Sequence, residues 1–311
     1  MRVLVVTAVA VESDSVAAGL DGYAASAPRA LPSGRTVTRL RRPAPAPAPR
    51  GAPDGTGAPG TVAAPGPDAP GGRPASDAAG TGDPAGRHRP APGGDGTGAP
   101  AGLPVPDASG AAVTHAAVDV VAGGVGPAAA AVTAAVALTT SPYAYDLVVS
   151  AGIGGGFAPH APLGSVVVSD AIIAADLGAD TPDGYLAVEE LGFGCSVHLP
   201  PPALPGRIAE ALREGGRRHV VAPVLTLSTV TGTAARTAEL IARHPRAAAE
   251  AMEGFGVAEA AAAHGVPVVE IRAVSNTVGP RDRAAWRIGE ALDSLRDTFR
   301  LLGSTVFLED L

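Results

Sequence analysis

Residues 41–112 constrain the fold more than any other stretch, because they remove themselves from any core. These 72 positions hold 16 Pro and 16 Gly and no aromatic residue. That density exceeds the ~25–30% Pro plus Gly that marks low complexity. Such a segment cannot bury enough apolar surface to offset its ordering entropy. It is expected to be a disordered insertion, with polyproline II character in "PAPAPAP". A long surface loop is tolerated because closure entropy grows slowly with length. Without it about 240 residues remain, a normal size for one α/β domain. The expected organisation is a single α/β domain over 1–311, interrupted by 41–112.

The flanking sequence alternates short apolar runs with helical patterns. Strands are expected near 2–8, 34–40, 113–122, 146–151, 164–169, 219–228 and 266–275. They are rich in Val, Leu and Ile, and several are apolar on both faces, as in a buried sheet. Helices are expected near 12–20, 127–140, 203–215, 234–244, 247–264 and 284–302. Pro127 sits in the first turn of the second, a position that tolerates its missing N–H.

Several function classes are disfavoured. All 23 basic residues are Arg, and the net charge is −7. A nucleic-acid binder needs a basic surface to neutralise phosphates, so no nucleic-acid partner is expected. Cys195 is the only cysteine, which excludes an intrachain disulfide and a multi-cysteine zinc site. The seven His are scattered, so neither a metal nor a cofactor is expected. The apolar start after Arg2 is closed by Glu12 and Asp14, which fits a first strand better than a secretory leader. No run of 18 apolar residues suggests a membrane span. A cytoplasmic location is the expectation.

Four places could carry chemistry. Glu12 follows the first strand, where an acid serves either the helix dipole or a water molecule as general base. "DLVVSAGIGGGFAP", 146–159, reads as a strand entering a glycine-rich turn. Gly154 and Gly155 there allow close backbone approach to a ligand, although no dinucleotide fingerprint or phosphate-loop Lys is present. "EAMEGFGVAEAAAAHG", 250–265, reads as a buried helix with Met252 and Glu253 in its first turns. Glu253 needs a partner there, the dipole or a ligand hydroxyl pair. "VVEIRAVSNTVGPRD", 268–282, is an apolar strand that ends in Arg272, Ser275 and Asn276. Strand carboxyl ends are where open α/β sheets bind ligands.

In this order and spacing, the four stretches resemble the nucleoside phosphorylase/hydrolase superfamily, and most closely its nucleosidase branch. The resemblance rests on Met252–Glu253, on "RAVSN" (272–276), on "GGVG" before an Ala-rich helix, and on "AGIGGGFAP…LGSVVVSD". It implies a three-layer α/β fold around a central mixed sheet, and cleavage of a purine N-glycosidic bond. It also implies site roles. Glu12 would activate water and Arg272 would help hold it. Glu253 would accept both ribose hydroxyls, with Met252 against the sugar. Val230 and Thr231 would lie along the base, and Trp286 against the 5′ substituent. A nucleoside, water and a homo-oligomeric partner are implied; a membrane is not.

One departure narrows the substrate. Asn276 stands where adenine-releasing members carry Asp. Asn cannot donate a proton outright, but it presents a donor and an acceptor side by side. A 6-oxopurine offers O6 as acceptor and, once protonated, N7–H as donor. Adenine would set its amino group against the carboxamide NH₂, a mismatch of about 1–3 kcal/mol when buried. The combination of Glu12 and Asn276 resembles the futalosine-hydrolysing branch, which releases hypoxanthine on a route to menaquinone. Arg281 and Arg283, with Trp286, would meet the aryl carboxylate of that substrate. An adenine-releasing nucleosidase, a phosphate-dependent phosphorylase and a silent nucleoside-binding module are the alternatives.

Overall fold

The computed structural model describes residues 1–43, 116–309 and 311. The first half runs β1 (Arg2–Thr7), α1 (Ala10–Gly19), β2 (Ala24–Ala30), β3 (Thr36–Arg41), β4 (Ala117–Ala122), α2 (Pro127–Thr139), β5 (Leu147–Gly156), β6 (Val166–Val168) and β7 (Ile172–Ala174). The second runs β8 (Gly178–Thr181), β9 (Gly184–Ala187), β10 (Val197–His198), α3 (Leu204–Glu214), β11 (His219–Val221), β12 (Val224–Thr226) and α4 (Ala234–Arg243). It closes with β13 (Ala249–Ala251), α5 (Gly254–Ala263), β14 (Val268–Thr277) and α6 (Ile288–Ser304).

The apolar runs become the centre of the sheet. β1 pairs in parallel with β4 on one side and β5 on the other, and β14 pairs in parallel with β5. Antiparallel pairings β3–β4, β13–β5 and β14–β6 make the sheet mixed. Helices cover both faces, because strands this apolar leave no face for water. Val3, Val5, Val149 and Ile271 pack with Leu204, Ile208, Leu295 and Phe299 from α3 and α6. Leu4, Val6 and Val148 pack with Ala130, Ala134, Val257 and Ala261 from α2 and α5. The three-layer mixed-sheet expectation agrees with this architecture.

Three expectations need correction. The helix expected at 247–264 is a strand, Ala249–Ala251, followed by a helix, Gly254–Ala263. Alanine favours helix locally, but Ala249 and Ala251 are claimed by pairing with Val224 and Thr226 of β12, and tertiary pairing overrides weak propensity. The glycine run at 152–156 is not a turn; it is the upper half of β5, flanked by β13 and β14. The strand expected at 219–228 is two, β11 and β12, separated by Ala222 and Pro223. β2 carries Ala, Ser and Pro and gave no strand signal; it lies at the sheet edge, with Pro28 in a register shift between Ser26 and Arg29, where a missing donor does least harm. The insertion expected at 41–112 lies outside the described residues except for 41–43, of which Arg41 ends β3.

Candidate active site

The carboxyl ends of β1, β5 and β14 converge on a network of buried charge. Glu12 is the third residue of α1 and is 3% exposed. Its Oε2 accepts the N–H groups of Ala8 at 2.9 Å and Val9 at 3.2 Å, which otherwise end the helix unpaired. Its Oε1 accepts the Ile153 N–H at 2.9 Å. Three backbone donors therefore fix this carboxylate in one orientation.

Arg272 lies behind it, 1% exposed. Its Nε donates to Glu270 Oε1 at 2.8 Å, its Nη2 to Ser150 Oγ at 3.1 Å, and its Nη1 lies 3.3 Å from Glu253 Oε2. Burial opposes its charge, but Glu270, Glu253 and Glu12 outweigh burial and hold its pKa above the usual value. Gly152 makes this possible. A Cβ there would stand 2.6 Å from Glu12 Oε1 and 2.7 Å from Arg272 Nη1, so any side chain would separate the acid from the guanidinium. Glu270 is enclosed completely; burial raises its pKa, Arg272 opposes that shift, and Glu253 adds to it.

Glu253 is the N-cap of α5 and not an interior helical residue. Its Oε1 accepts the Gly126 N–H at 3.2 Å, and its Oε2 accepts the Met252 N–H at 3.3 Å. The "GGVG" stretch thus delivers a donor to the same carboxylate.

Ser275 and Asn276 are consecutive, yet both line one cavity. A regular strand would point them to opposite faces. The register between β14 and β5 shifts here: Val274 pairs with Gly154, while Asn276 pairs with Gly155. Ser275 is the extra residue of a β-bulge, a device that re-aims side chains. Ser275 Oγ is 2.9 Å from Asn276 Oδ1 and 3.2 Å from the Gly154 carbonyl, and its single hydrogen serves one of them. Asn276 Nδ2 donates to the Thr277 carbonyl at 3.2 Å. One carboxamide N–H and one oxygen lone pair stay available.

The cavity is about 190 Å³ and is lined by Ala8, Glu12, Ile153, Gly154, Gly155, Val230, Glu250, Ala251, Met252, Glu253, Ser275, Asn276 and Trp286. Nine residues expected from sequence are brought together here: Glu12, Gly154, Gly155, Val230, Met252, Glu253, Ser275, Asn276 and Trp286. Four are not among the lining residues. Arg272 sits behind the wall. Thr231 is buried and donates its N–H to Glu250 Oε1 at 3.0 Å. Arg281 and Arg283 are exposed, with guanidinium carbons 5.5 and 5.9 Å from the Trp286 ring centre. Sequence reasoning missed Glu250. Its signal was a lone acid inside "AAAEA", a place where a carboxylate has no reason to be unless something binds it.

Residues 108–304 match the family model described as Phosphorylase superfamily. The chain belongs to the phosphorylase superfamily. Within this superfamily it is similar to futalosine hydrolase of Streptomyces coelicolor, 68% identical over 184 residues, covering 58% of this chain and 75% of that protein. Futalosine hydrolase of Acidothermus cellulolyticus is 46% identical over 160 residues, covering 51% and 65%. A 5′-methylthioadenosine/S-adenosylhomocysteine nucleosidase of Shewanella oneidensis is 29% identical over 154 residues, covering 49% and 64%. The superfamily fold is also seen in the structure of Helicobacter pylori futalosine hydrolase, with a TM-score of 0.64 at 12% identity over 98% of this chain and 97% of that one. The Streptococcus pyogenes S-adenosylhomocysteine nucleosidase gives 0.64 at 16% identity over 100% and 97%.

Proposed function

We propose that the chain hydrolyses the N-glycosidic bond of futalosine and releases hypoxanthine. The observation that carries this reading is that Glu12 and Asn276 open onto one cavity, which Glu253 and Met252 also line. Relatives named futalosine hydrolase at 68% and 46% identity support the substrate.

Each residue has a task in this reaction. Glu12, held by three backbone donors, orients a water and accepts its proton as the oxygen attacks C1′. The C1′–N9 bond breaks through an oxocarbenium-like state, and the bonding pair leaves with the purine. Glu253 accepts the ribose hydroxyls, and its fixed charge stabilises the cationic sugar. Asn276 donates its free N–H to O6 and accepts N7–H, whose proton comes from solvent. Water is favoured over phosphate because the carboxylate below C1′ would repel an anion. Arg272 positions Glu12 and Glu253 from behind. Trp286, Arg281 and Arg283 form the rim where an aryl carboxylate stacks and pairs.

The same reading takes the chain as one catalytic domain interrupted at 41–112. Its support is that Arg41 and Ala117 are register partners in β3 and β4, so the chain leaves and re-enters the sheet at one place. A cytoplasmic homo-oligomer acting on a small molecule and water completes it, and the net charge of −7 supports this over a polyanionic partner. Incubation with futalosine, inosine and methylthioadenosine, with and without phosphate, followed by chromatography of the bases, tests the proposal. Hypoxanthine from futalosine without phosphate is expected. Adenine release from methylthioadenosine alone, a strict phosphate requirement, or no free base would overturn it.

A further inference from the structure

We propose that Glu270 is a positioning residue whose negative charge cancels that of Arg272, so that Glu12 and Glu253 keep their full charge for a cationic sugar. The inference rests on the nucleosidase reading above and concerns an acid that does not line the cavity.

A guanidinium behind the two working acids opposes the chemistry they serve. Positive charge grows on the ribose as the C1′–N9 bond breaks, and a nearby cation repels it. Arg272 is 1% exposed, so water and salt screen it poorly. Its Nη1 lies 3.3 Å from Glu253 Oε2. A Cβ on Gly152 would touch this Nη1 and Glu12 Oε1 together, at 2.7 and 2.6 Å. The cation therefore stands against both acids with nothing larger than a glycine between.

Glu270 answers that cation from the opposite end of the guanidinium. It lies two residues before Arg272 in β14, on the same face of the strand, and their partners in β5 are Ser150 and Gly152. Arg272 Nε donates to Glu270 Oε1 at 2.8 Å. The other oxygen, Oε2, is buried without a hydrogen-bond partner and rests against Gly254, where a Cβ would collide with it. A carboxylate so enclosed and half-satisfied is costly, and an apolar side chain would fill the same space at lower cost. What the acid alone supplies is charge. With Glu12, Glu253 and Glu270 ionised around one guanidinium, the network holds two net negative charges; without Glu270 it holds one. Burial raises the Glu270 carboxyl pKa, and the ion pair with Arg272 draws it back down, so the partner whose charge is cancelled also keeps the acid ionised.

The test compares two uncleavable, carbon-linked analogues of futalosine. One keeps the ribose oxygen; the other carries a protonated amine in its place and mimics the cationic sugar. Titration calorimetry on the full-length chain gives the ratio of their affinities, which a partly unfolded sample does not alter. In Glu270→Gln the amide oxygen still accepts from Arg272 Nε, so the geometry is kept and the charge is lost. The preference for the cationic analogue is expected to fall about tenfold. The kcat for futalosine should fall with it, while KM stays within about threefold. An unchanged preference, which a purely structural acid or one already carrying a proton would give, overturns the proposal.

Glu270→Met combined with Arg272→Met is the second variant, since an apolar pair in place of a buried ion pair is often tolerated. One charge of each sign leaves, so the preference is expected to stay within about threefold of that of the unaltered chain. A rise would mean that Arg272 was never cancelled, and a fall that its geometry matters more than its charge; either overturns the proposal. If the unaltered chain frees hypoxanthine from futalosine but these expectations fail, Glu270 alone is misassigned. If it frees none, both readings fall.

Discussion

Arg272 and Arg283 carry the same guanidinium and meet opposite surroundings. Arg272 is enclosed by Glu270, Glu253, Ser150 and the Ile153 carbonyl. Arg283 is exposed on a single 3₁₀ turn, Arg283–Ala285, beside the Trp286 ring. The first has no free donor direction toward solvent and acts through the acids it holds. The second has no fixed carboxylate partner among the described residues and can take one from a ligand. Burial, more than residue type, decides whether a cation is scaffold or contact. A buried charge must be fully partnered by the fold, whereas an exposed one is screened by water until a ligand displaces it.

The sharpest way to break this comparison is at the acid that Arg272 supports. Glu12→Gln keeps the shape and removes the base. The kcat for futalosine is expected to fall about 10²- to 10⁴-fold, with a lower melting temperature as well, because the amide NH₂ must face a backbone N–H that the carboxylate accepted. A fall below threefold would remove Glu12 from the chemistry.

Next comes Arg272 itself. Arg272→Met leaves Glu270 and Glu253 buried without their cation, at a cost of about 3–5 kcal/mol. Urea unfolding should show that loss. A variant of unchanged stability would mean that Arg272 does not hold the network. Arg281→Ala with Arg283→Ala should do the reverse: stability stays put, KM for futalosine rises about fivefold to tenfold, and kcat is preserved. An unchanged KM would empty the rim of its proposed role.

Asn276→Asp probes the wall between the two regions. An acid there can protonate N7 and accept from an exocyclic amine, so the ratio of adenine to hypoxanthine release should rise about tenfold. Competition between inosine and adenosine reads it directly.

The smallest expected effect is a pH dependence. The folded Glu250 carboxyl has a pKa raised above the ordinary 4.5. Between the unfolded value and the folded one, the folded chain binds more protons, so stability falls as pH rises through that window. Glu250→Gln has no such proton to lose. Thermal melts should show the variant gaining on the unaltered chain as pH rises, by less than about 2 kcal/mol. Parallel pH curves for the two would contradict the raised value.

Much of the scaffold was legible because periodicity is local. Val3–Val6 and Val268–Ile271 announce buried strands within their own few residues, and Pro127 announces a helix start. The residues near strand carboxyl ends were legible for the same reason: a guanidinium, a hydroxyl and a carboxamide stand out at the end of an apolar run. Short strands were not legible. Ala249–Ala251 is a strand only because β12 and β5 offer it partners, and an Ala-rich stretch says nothing of partners far along the chain.

The order of residues by itself announced the long apolar strands, most of the helices, and the presence of an acid at position 12 and an amide at position 276, since side-chain type and spacing are properties of one segment. Only the tertiary structure decided which groups touch. It placed Arg272 behind the cavity, inserted the bulge that turns Ser275 and Asn276 to one side, and set Glu250 across Gly155 from Asn276. The physical reason is that burial, register and hydrogen-bond satisfaction are settled between strands, where no single segment carries the information.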